Sequence, residues 1–296
     1  MAVKKKCFSK VGIIGGSKAY LTIDKSWGKQ ISRKIIKTPF GNSAPLYIYE
    51  KDGIHFAFIS RHGEKGYDVS APFVNYRANI WALKEIGVER IVSWSGPGII
   101  NISKFKVADI VLPDDIIDET KTRKNTFFEN KGIGFVRQNP VFCPDLADMV
   151  YNCAKKMKIN VKKGGVYVCT EGPRLETAAE IKMYKILGAD LVGMTLAPEC
   201  FLARELEICY QPICYLTNVA EGIGRKKSFQ SGILFEGMQN KDEAVKVQET
   251  LEKIPSLIFR FIKENYAKER KCSCKDYMLR YKKSGILSDN WKDWFK

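Results

Sequence analysis

The alternation of short apolar segments with longer amphipathic ones is the feature that most constrains the fold. Residues 11–15, 90–93 and 165–170 have the length and composition of buried strands, and residues 75–86 carry apolar side chains at helical spacing. Strands that alternate with helices of this kind favour an α/β fold built on one sheet. We therefore expect an α/β protein whose helices flank a single sheet.

The length of the chain fits one domain better than two. Its 296 residues, 45% of them hydrophobic, are enough to bury a full α/β core. A last long helix is expected over about residues 242–264, and the basic, aromatic segment after it indicates no role. We place the domain at residues 1–265 and treat residues 266–296 as a C-terminal tail.

The sequence predicts neither a membrane span nor a secretory signal. Apolar runs such as residues 11–14 are far too short to cross a bilayer. The basic start at residues 1–10 is not followed by an apolar region with a small-residue cleavage site. We expect a cytoplasmic protein with no membrane partner.

The nine cysteines predict reduced thiols rather than a disulfide scaffold, because their number is odd and most lie inside apolar stretches. Cys272 and Cys274 stand one residue apart and are interpreted as an exposed pair of free thiols, with a redox pair or a clip as the alternative. The chain has only two histidines and no Cys-x-x-Cys pattern. We therefore expect no metal site.

The formal net charge of +16 raises nucleic-acid binding as a rival function. The lysines are spread along the chain, with local concentrations at residues 4–6, 155–163 and 268–283, and no nucleic-acid motif accompanies them. A basic surface that attracts anionic phosphate accounts for the charge, so we expect no nucleic-acid partner.

Polar groups follow several predicted strands where each strand ends, and ligands bind at strand ends in such sheets. Hydroxyls, backbone N–H groups and one guanidinium suit a tetrahedral dianion, which needs many donors. The P-loop pattern, a Gly-x-Ser-x-Gly elbow and a carboxylate set for glycoside hydrolysis are absent from the sequence. The residues alone predict an α/β protein with a phosphate site. The strand-end residues are Ser17, Arg61, His62, Ser95, Thr195 and Asn218.

Six segments, in order along the chain, carry a resemblance to a known family. They are GIIGGS at residues 12–17, TPFG at 38–41, RHG at 61–63, VNYRANIWAL at 74–83, EGPR at 171–174, and GMT at 193–195 followed by Pro198-Glu199. Together they resemble the methylthioadenosine phosphorylase branch of the trimeric purine nucleoside phosphorylases. The resemblance covers roughly residues 10–220.

The resemblance implies a fold, an activity and an assembly. The fold would be a single domain with a twisted mixed β-sheet partly closed into a barrel and flanked by helices. The enzyme would use inorganic phosphate, as a co-substrate, to cleave a purine nucleoside to free base and ribose 1-phosphate or 5-methylthioribose 1-phosphate. It would need no cofactor and would assemble as a homotrimer or a hexamer.

Residue roles follow from the resemblance by position. The bound phosphate would stabilise an oxocarbenium-like sugar, and a hydrogen bond at the base edge would stabilise the leaving purine. His62 and Asn218 would be the catalytic residues. The phosphate ligands would be Ser17, Arg61, His62, Ser95 and Thr195. The substrate-binding residues would be Gly96, which presents N–H groups, Met194 beneath the ribose, and Leu175, Glu176 and Asn218 at the base.

Position 218 separates the possible substrates. Family members that act on 6-aminopurines carry a Thr-Asp-x-Asp pattern, whereas residues 217–220 here read Thr-Asn-Val-Ala. The Asn218 amide can donate to N7 or O6 of a 6-oxopurine. Glu176 can accept from the N1–H of the same base, unless it only caps the helix that follows. We expect 6-oxopurine nucleosides to be favoured.

Three departures from the family pattern bear on the substrate. Apolar residues 233–235 are expected near the 5′ group, where they would tolerate a methylthio substituent. Leu175 stands where the family stacks a Phe on the base, and Pro97 removes a backbone N–H. The alternatives are therefore a methylthioadenosine phosphorylase and a non-catalytic nucleoside-binding homologue.

Overall fold

A computed structural model describes residues 7–22, 27–224, 229–232 and 237–295. The strands in these ranges are β1 (Cys7–Gly15), β2 (Lys29–Lys34), β3 (Lys37–Thr38), β4 (Gly41–Asn42), β5 (Leu46–Lys51), β6 (Ile54–Ser60), β7 (Arg90–Ser95), β8 (Gly98–Ile99), β9 (Ile110–Leu112), β10 (Asp115–Glu119), β11 (Val161–Lys163), β12 (Val166–Thr170), β13 (Leu191–Gly193), β14 (Cys209–Tyr215) and β15 (Asn218–Val219). The α-helices are α1 (Tyr76–Glu85), α2 (Pro144–Lys156), α3 (Ala178–Ile186), α4 (Glu199–Glu205), α5 (Lys241–Asn265) and α6 (Leu279–Lys283). Short 3₁₀ turns cover Ala19–Thr22, Ala71–Phe73, Ser273–Asp276 and Trp291–Phe295.

The strands form two large sheets and a small hairpin. The larger sheet has eight strands in the order β11-β9-β14-β7-β1-β6-β5-β2, and the second has five in the order β10-β12-β13-β8-β15. Both sheets mix parallel and antiparallel pairs. The predicted α/β class with a mixed arrangement is confirmed, whereas the expectation of a single sheet is wrong because several chain segments pass from one sheet into the other.

Four central strands of the larger sheet run parallel, which brings their carboxyl ends to one edge. β1 lies between β6 and β7, and β14 lies beside β7. In this register Gly15 pairs with Ser60, and Cys214 pairs with Ser95. The polar residues that follow these strands are therefore delivered to the same end of the sheet, as the sequence pattern predicts.

Tight turns and helix caps set several of the element boundaries. Asp52 and Gly53 join β5 to β6 with positive φ values of 53° and 76°, the backbone that a tight hairpin requires. Asn75 caps α1 by accepting from the Ala78 N–H, and the chain turns away at Gly87 with φ of 87°.

The apolar side chains divide between the two faces of the larger sheet. Alternate residues of β1 point to opposite faces, so Ile13 packs with α2 and α5 while Ile14 packs with α1 and α4. No helix in the described ranges combines the length and apolar character that a bilayer crossing requires.

The C-terminal tail packs against the body of the molecule. Met278, Tyr281 and Trp294 are buried in the same cluster as α1 and α4. Cys274, at 4% exposure, joins the cluster on the opposite face, so the expectation of an exposed Cys272/Cys274 pair is wrong. The division of the chain at residue 265 stays a prediction.

Candidate active site

A cavity of about 350 Å³ opens where the strand ends of the two sheets meet. Nine of the ten predicted site residues line it, and Arg61 is the exception. Additional lining comes from Tyr67 and Met238. The predicted residues on the wall are Ser17, His62, Ser95, Gly96, Leu175, Glu176, Met194, Thr195 and Asn218.

Hydroxyl groups from both sheets meet at one wall of the cavity. Ser95 ends β7, and its Oγ lies 3.3 Å from Oγ1 of Thr195, which follows β13. The same Ser95 Oγ lies 3.2 Å from Oη of the buried Tyr167. These hydroxyls are nearly buried and are held by one another, so they are arranged before any anion arrives.

The Gly16–Ser17 turn reaches the same wall because residue 16 has no side chain. A Cβ on Gly16 would lie 2.2 Å from the Trp94 carbonyl oxygen and 2.9 Å from Arg61 Nη1. Trp94 Nε1 and Tyr215 Oη each donate to the Ser17 carbonyl at 3.3 Å, which fixes the turn. Any larger residue at position 16 would push the Ser17 backbone out of place.

His62 presents a neutral imidazole to the cavity. Burial, with a smaller contribution from the charge on Arg61, lowers the pKa of His62 to about 4. Its Nδ1 lies 3.0 Å from the Val69 carbonyl oxygen, which can only accept, so Nδ1 carries the hydrogen. The other ring nitrogen, Nε2, is therefore an acceptor near neutral pH.

Arg61 lies behind this wall rather than on it. Its side chain is fully buried, and Nε and Nη2 donate to the Glu199 carboxylate at 2.5 and 2.8 Å. The third nitrogen, Nη1, donates to the carbonyl of Trp94, the residue before Ser95, at 3.3 Å. Tyr210 also donates to Glu199, at 2.7 Å. Arg61 thus converges on the predicted site, but in this structure it braces the wall through Glu199 and Trp94.

The orientation of the Asn218 amide follows from its neighbours. Asn218 Nδ2 lies 3.0 Å from the Val219 carbonyl oxygen, where only an N–H group is tolerated. The amide oxygen therefore faces the Thr217 hydroxyl, which donates to it at 2.7 Å. The oxygen is engaged and one N–H remains, so Asn218 offers the cavity a hydrogen-bond donor.

Glu176 faces the cavity and does not cap the helix that follows. Thr177 is the N-cap of α3, and it forms a reciprocal capping box with Glu180. Thr170 Oγ1 donates to Glu176 Oε1 at 2.5 Å, which leaves the second carboxylate oxygen to accept from a ligand. The alternative that Glu176 only caps the helix is therefore wrong.

The rim of the cavity is partly apolar. Leu175 is 45% exposed there and gives the site no aromatic face at this position. Residues 233–235, expected near a 5′ substituent, lie outside the described residues.

Sequence reasoning missed Arg123, which ties the strand ends of the second sheet together. Its guanidinium donates to the carbonyls of Met194 at 2.5 Å, Ala197 at 2.8 Å, Thr170 at 3.1 Å and Glu171 at 2.5 Å. The side chain is only 1% exposed. Arg123 thereby holds the Met194 segment in position, although a lone arginine in an irregular segment carries no local signal of this role.

The fold agrees with what comparison with known proteins shows. Residues 10–258 match the phosphorylase superfamily. The chain is 39% identical over 274 residues to the 6-oxopurine nucleoside phosphorylase of Pyrococcus furiosus, covering 90% of this chain and 97% of the relative. It is 39% identical over 267 residues to the probable S-methyl-5′-thioinosine phosphorylase of Methanopyrus kandleri, and the match covers 90% of this chain and 96% of that relative. A crystal structure of a methylthioadenosine phosphorylase from an antarctic soil metagenomic library superposes with a TM-score of 0.80 at 29% identity, covering 93% of this chain and 92% of the other. The chain therefore belongs to the phosphorylase superfamily.

Proposed function

We propose that the protein is a purine nucleoside phosphorylase that favours 6-oxopurine nucleosides. It uses inorganic phosphate as a co-substrate to release the free base and form ribose 1-phosphate, or 5-methylthioribose 1-phosphate from a methylthio substrate, and the reaction needs no cofactor. The observation that carries the proposal is the single cavity whose wall combines the Ser95–Thr195 hydroxyl pair with the donor of Asn218.

The hydroxyl wall accounts for phosphate binding. Ser17, Ser95 and Thr195 supply donors, and the neutral His62 can accept a hydrogen bond from a protonated oxygen of the phosphate. The buried Arg61–Glu199 ion pair lies behind these groups and holds the wall in place through the Trp94 carbonyl. Oriented phosphate oxygens beneath the sugar would then stabilise the positive charge that develops as the N-glycosidic bond breaks.

The other part of the cavity accounts for base recognition. Asn218 offers an N–H to N7 or O6, which stabilises the negative charge on the leaving purine. Glu176 can accept from N1–H, a group that 6-oxopurines carry and 6-aminopurines lack. Donor and acceptor together match a 6-oxopurine, as in the relatives named for 6-oxopurine and thioinosine substrates.

Methylthioadenosine is the alternative substrate, because the superposed crystal structure is of a methylthioadenosine phosphorylase. A 6-amino group donates and therefore needs an acceptor beside it. The Asn218 amide oxygen already accepts from Thr217 at 2.7 Å, whereas one N–H of the amide has no partner among these neighbours, so the side chain faces the base chiefly as a donor. The geometry favours the 6-oxopurine.

Three further features of the family are part of the proposal. A partly closed barrel is supported by four places where the chain passes from the larger sheet directly into the smaller one, between β7 and β8, β9 and β10, β11 and β12, and β14 and β15. A homotrimer is supported by apolar side chains left exposed at the end of α3, at Ile186 (77%) and Leu187 (55%). A cytoplasmic location is supported by the free thiols of the described cysteines.

The test is turnover of inosine, guanosine, 5′-methylthioinosine and 5′-methylthioadenosine, each with and without phosphate. We expect base release only with phosphate, and faster from the 6-oxopurine nucleosides. Thr195→Val removes one wall hydroxyl at nearly constant volume and should raise the KM for phosphate, whereas the control Thr195→Ser keeps the hydroxyl and should not. Binding of all four nucleosides without turnover would instead identify a non-catalytic homologue.

A further inference from the structure

Four cysteines that are far apart in the sequence meet in a cluster away from the active-site cavity. The sulfur atoms of Cys143, Cys209, Cys272 and Cys274 all lie within 4.8 Å of one another. Cys209 Sγ and Cys272 Sγ are 3.3 Å apart. Three of the four residues are buried and Cys272 is partly buried. None of the four lines the cavity.

The spacing of the sulfurs suits a tetrahedral metal ion. Sulfurs that lie about 2.3 Å from a zinc ion have edges of about 3.8 Å between them. The Cys209–Cys272 sulfur distance of 3.3 Å lies just below this value, and the 4.8 Å limit within which all four sulfurs lie is above it. Four thiolates form the donor set of closed, structural zinc sites, and the same set leaves no open position for catalysis.

The backbone around the cluster is already fixed by regular structure. The Cys143 N–H donates to the Tyr210 carbonyl, and the Cys209 N–H donates to the Glu89 carbonyl, both at 3.0 Å. Cys143 is the N-cap residue of α2, where the helix dipole favours negative charge. The sulfurs of Cys143 and Cys209 are thus positioned by the main body, independently of the C-terminal tail.

A buried cation and a hydroxyl flank the cluster. Tyr277 Oη lies 3.8 Å from Cys274 Sγ, and the Arg204 guanidinium stacks 4.0 Å from the centre of the Tyr277 ring. Arg204 Nη2 also donates to the carbonyl of Val141, two residues before Cys143. Its Nε has no hydrogen-bond partner within the described part of the chain. A metal with four thiolates carries two net negative charges, one of which this arginine would offset.

We propose that Cys143, Cys209, Cys272 and Cys274 bind one Zn²⁺ ion in a closed structural site. Metal binding converts each bound thiol to a thiolate and releases its proton to solvent. Two ligands belong to the main body and two to the tail, so the ion fastens the tail to the body. The expectation of no metal site is replaced by this proposal, which does not depend on the proposed function.

The tail that would be fastened contributes to the core beside α1. The Phe295 ring stacks on the Phe128 ring with 5.3 Å between the ring centres, and its centre lies 4.7 Å from the centre of the Trp81 ring in α1. Lys282 Nζ forms an ion pair with Glu207 at 2.6 Å, two residues before Cys209. Loss of the ion should therefore lower the thermal stability of the molecule as a whole.

The experiment measures metal in the full-length protein. The chain is purified under reducing conditions, exchanged into buffer without chelator, and analysed for zinc by elemental mass spectrometry. We expect one zinc per chain, and Co²⁺ exchanged into the site should show the thiolate-to-cobalt absorption of a tetrahedral tetrathiolate. Alkylation of the native protein should spare the four cysteines until a chelator is added.

Two variants and one further measurement complete the test. Cys274→Ser should lose most of the zinc, and the control Cys153→Ser, which removes a buried thiol outside the cluster, should keep it. Should Cys274→Ser fail to fold, metal uptake by the reduced wild-type chain decides instead. A wild-type chain that contains no zinc and takes up neither Zn²⁺ nor Co²⁺ after reduction would overturn the proposal. Two disulfides among the four cysteines, persisting in protein purified under reducing conditions, would also overturn it.

Discussion

Asn218→Asp tests how the site recognises the 6-substituent of the purine. The substitution replaces the only free donor of this side chain with an acceptor. In the wild type, Asn218 Nδ2 donates to the Val219 carbonyl at 3.0 Å, and in the variant a carboxylate oxygen would face that carbonyl instead. Leaving a buried polar group without its hydrogen bond costs about 1–3 kcal/mol. If this cost falls on the transition state for inosine, kcat/KM drops roughly 5- to 150-fold.

The same change should help a 6-aminopurine, because a carboxylate accepts from the amino group. We expect the ratio of kcat/KM for inosine to that for adenosine to move by about tenfold or more toward adenosine. The assay is steady-state phosphorolysis of both nucleosides at saturating phosphate, with release of the base followed by chromatography. A melting curve of each variant separates loss of fold from loss of recognition.

Asn152→Asp is the matched control, since it makes the same chemical change on an exposed residue of α2. Its substrate ratio should equal that of the wild type. An unchanged ratio in Asn218→Asp, or equal losses on both nucleosides, would show that Asn218 does not read the 6-position.

Three further predictions concern ionisable groups. Because the pKa of His62 is lowered to about 4, its ring should stay neutral down to about pH 5, and NMR of the two histidine rings should show no His62 transition near 6.5; a transition there would contradict the buried, neutral imidazole. Burial raises the pKa of Glu205 to about 7, so its contribution to stability is present below the unfolded value near 4.5 and is lost as the pH rises through 7. Glu205→Gln should reduce the pH-dependent change in the free energy of unfolding, measured by urea unfolding, by up to about 3 kcal/mol. An unchanged pH profile of that free energy would disprove the raised pKa of Glu205. Glu199→Gln leaves the buried Arg61 charge without its partner and should lower the free energy of unfolding by about 3–5 kcal/mol, whereas a loss below about 1 kcal/mol would show that the pair is not the brace inferred here.

Local sequence signals predicted much of the fold and the strand-end polar residues of the cavity wall, whereas Gly96, Leu175, Glu176 and Met194 were expected there only from the family resemblance. Glycines after α1 and α3, the capping box at Thr177 and the hairpin turn at Asp52 are short-range signals of this kind. The strand-end hydroxyls converge because parallel strands end at the same edge, a consequence of topology rather than of detailed packing.

Features that depend on distant contacts were not predictable in the same way. Arg123 donates to carbonyls that two separate segments, 170–171 and 194–197, bring to one point, so nothing adjacent to it in sequence marks the role. Arg61 was expected on the wall, and only the buried position of Glu199 explains why it lies behind. The cysteine cluster joins positions up to 131 residues apart, from Cys143 to Cys274, a separation at which spacing patterns give no indication.

The division into two sheets was also hidden from the sequence. β7 and β8 are separated by Gly96-Pro97 alone, whereas the sequence pattern predicts a strand at residues 90–93 and no second strand after it. The chain in fact changes sheet there, and the Gly96 backbone at this point lies against Thr217 and Tyr215, where a Cβ would approach within 2.9 Å.

Phosphorus NMR of the reaction with inosine tests the central claim most directly. If the hydroxyl wall holds phosphate beneath the sugar, a ribose 1-phosphate signal should grow in step with free hypoxanthine, one for one, and neither product should form without phosphate. Hypoxanthine released together with unphosphorylated ribose would mean that water, not the bound anion, is the acceptor, and the assignment of the cavity would be wrong.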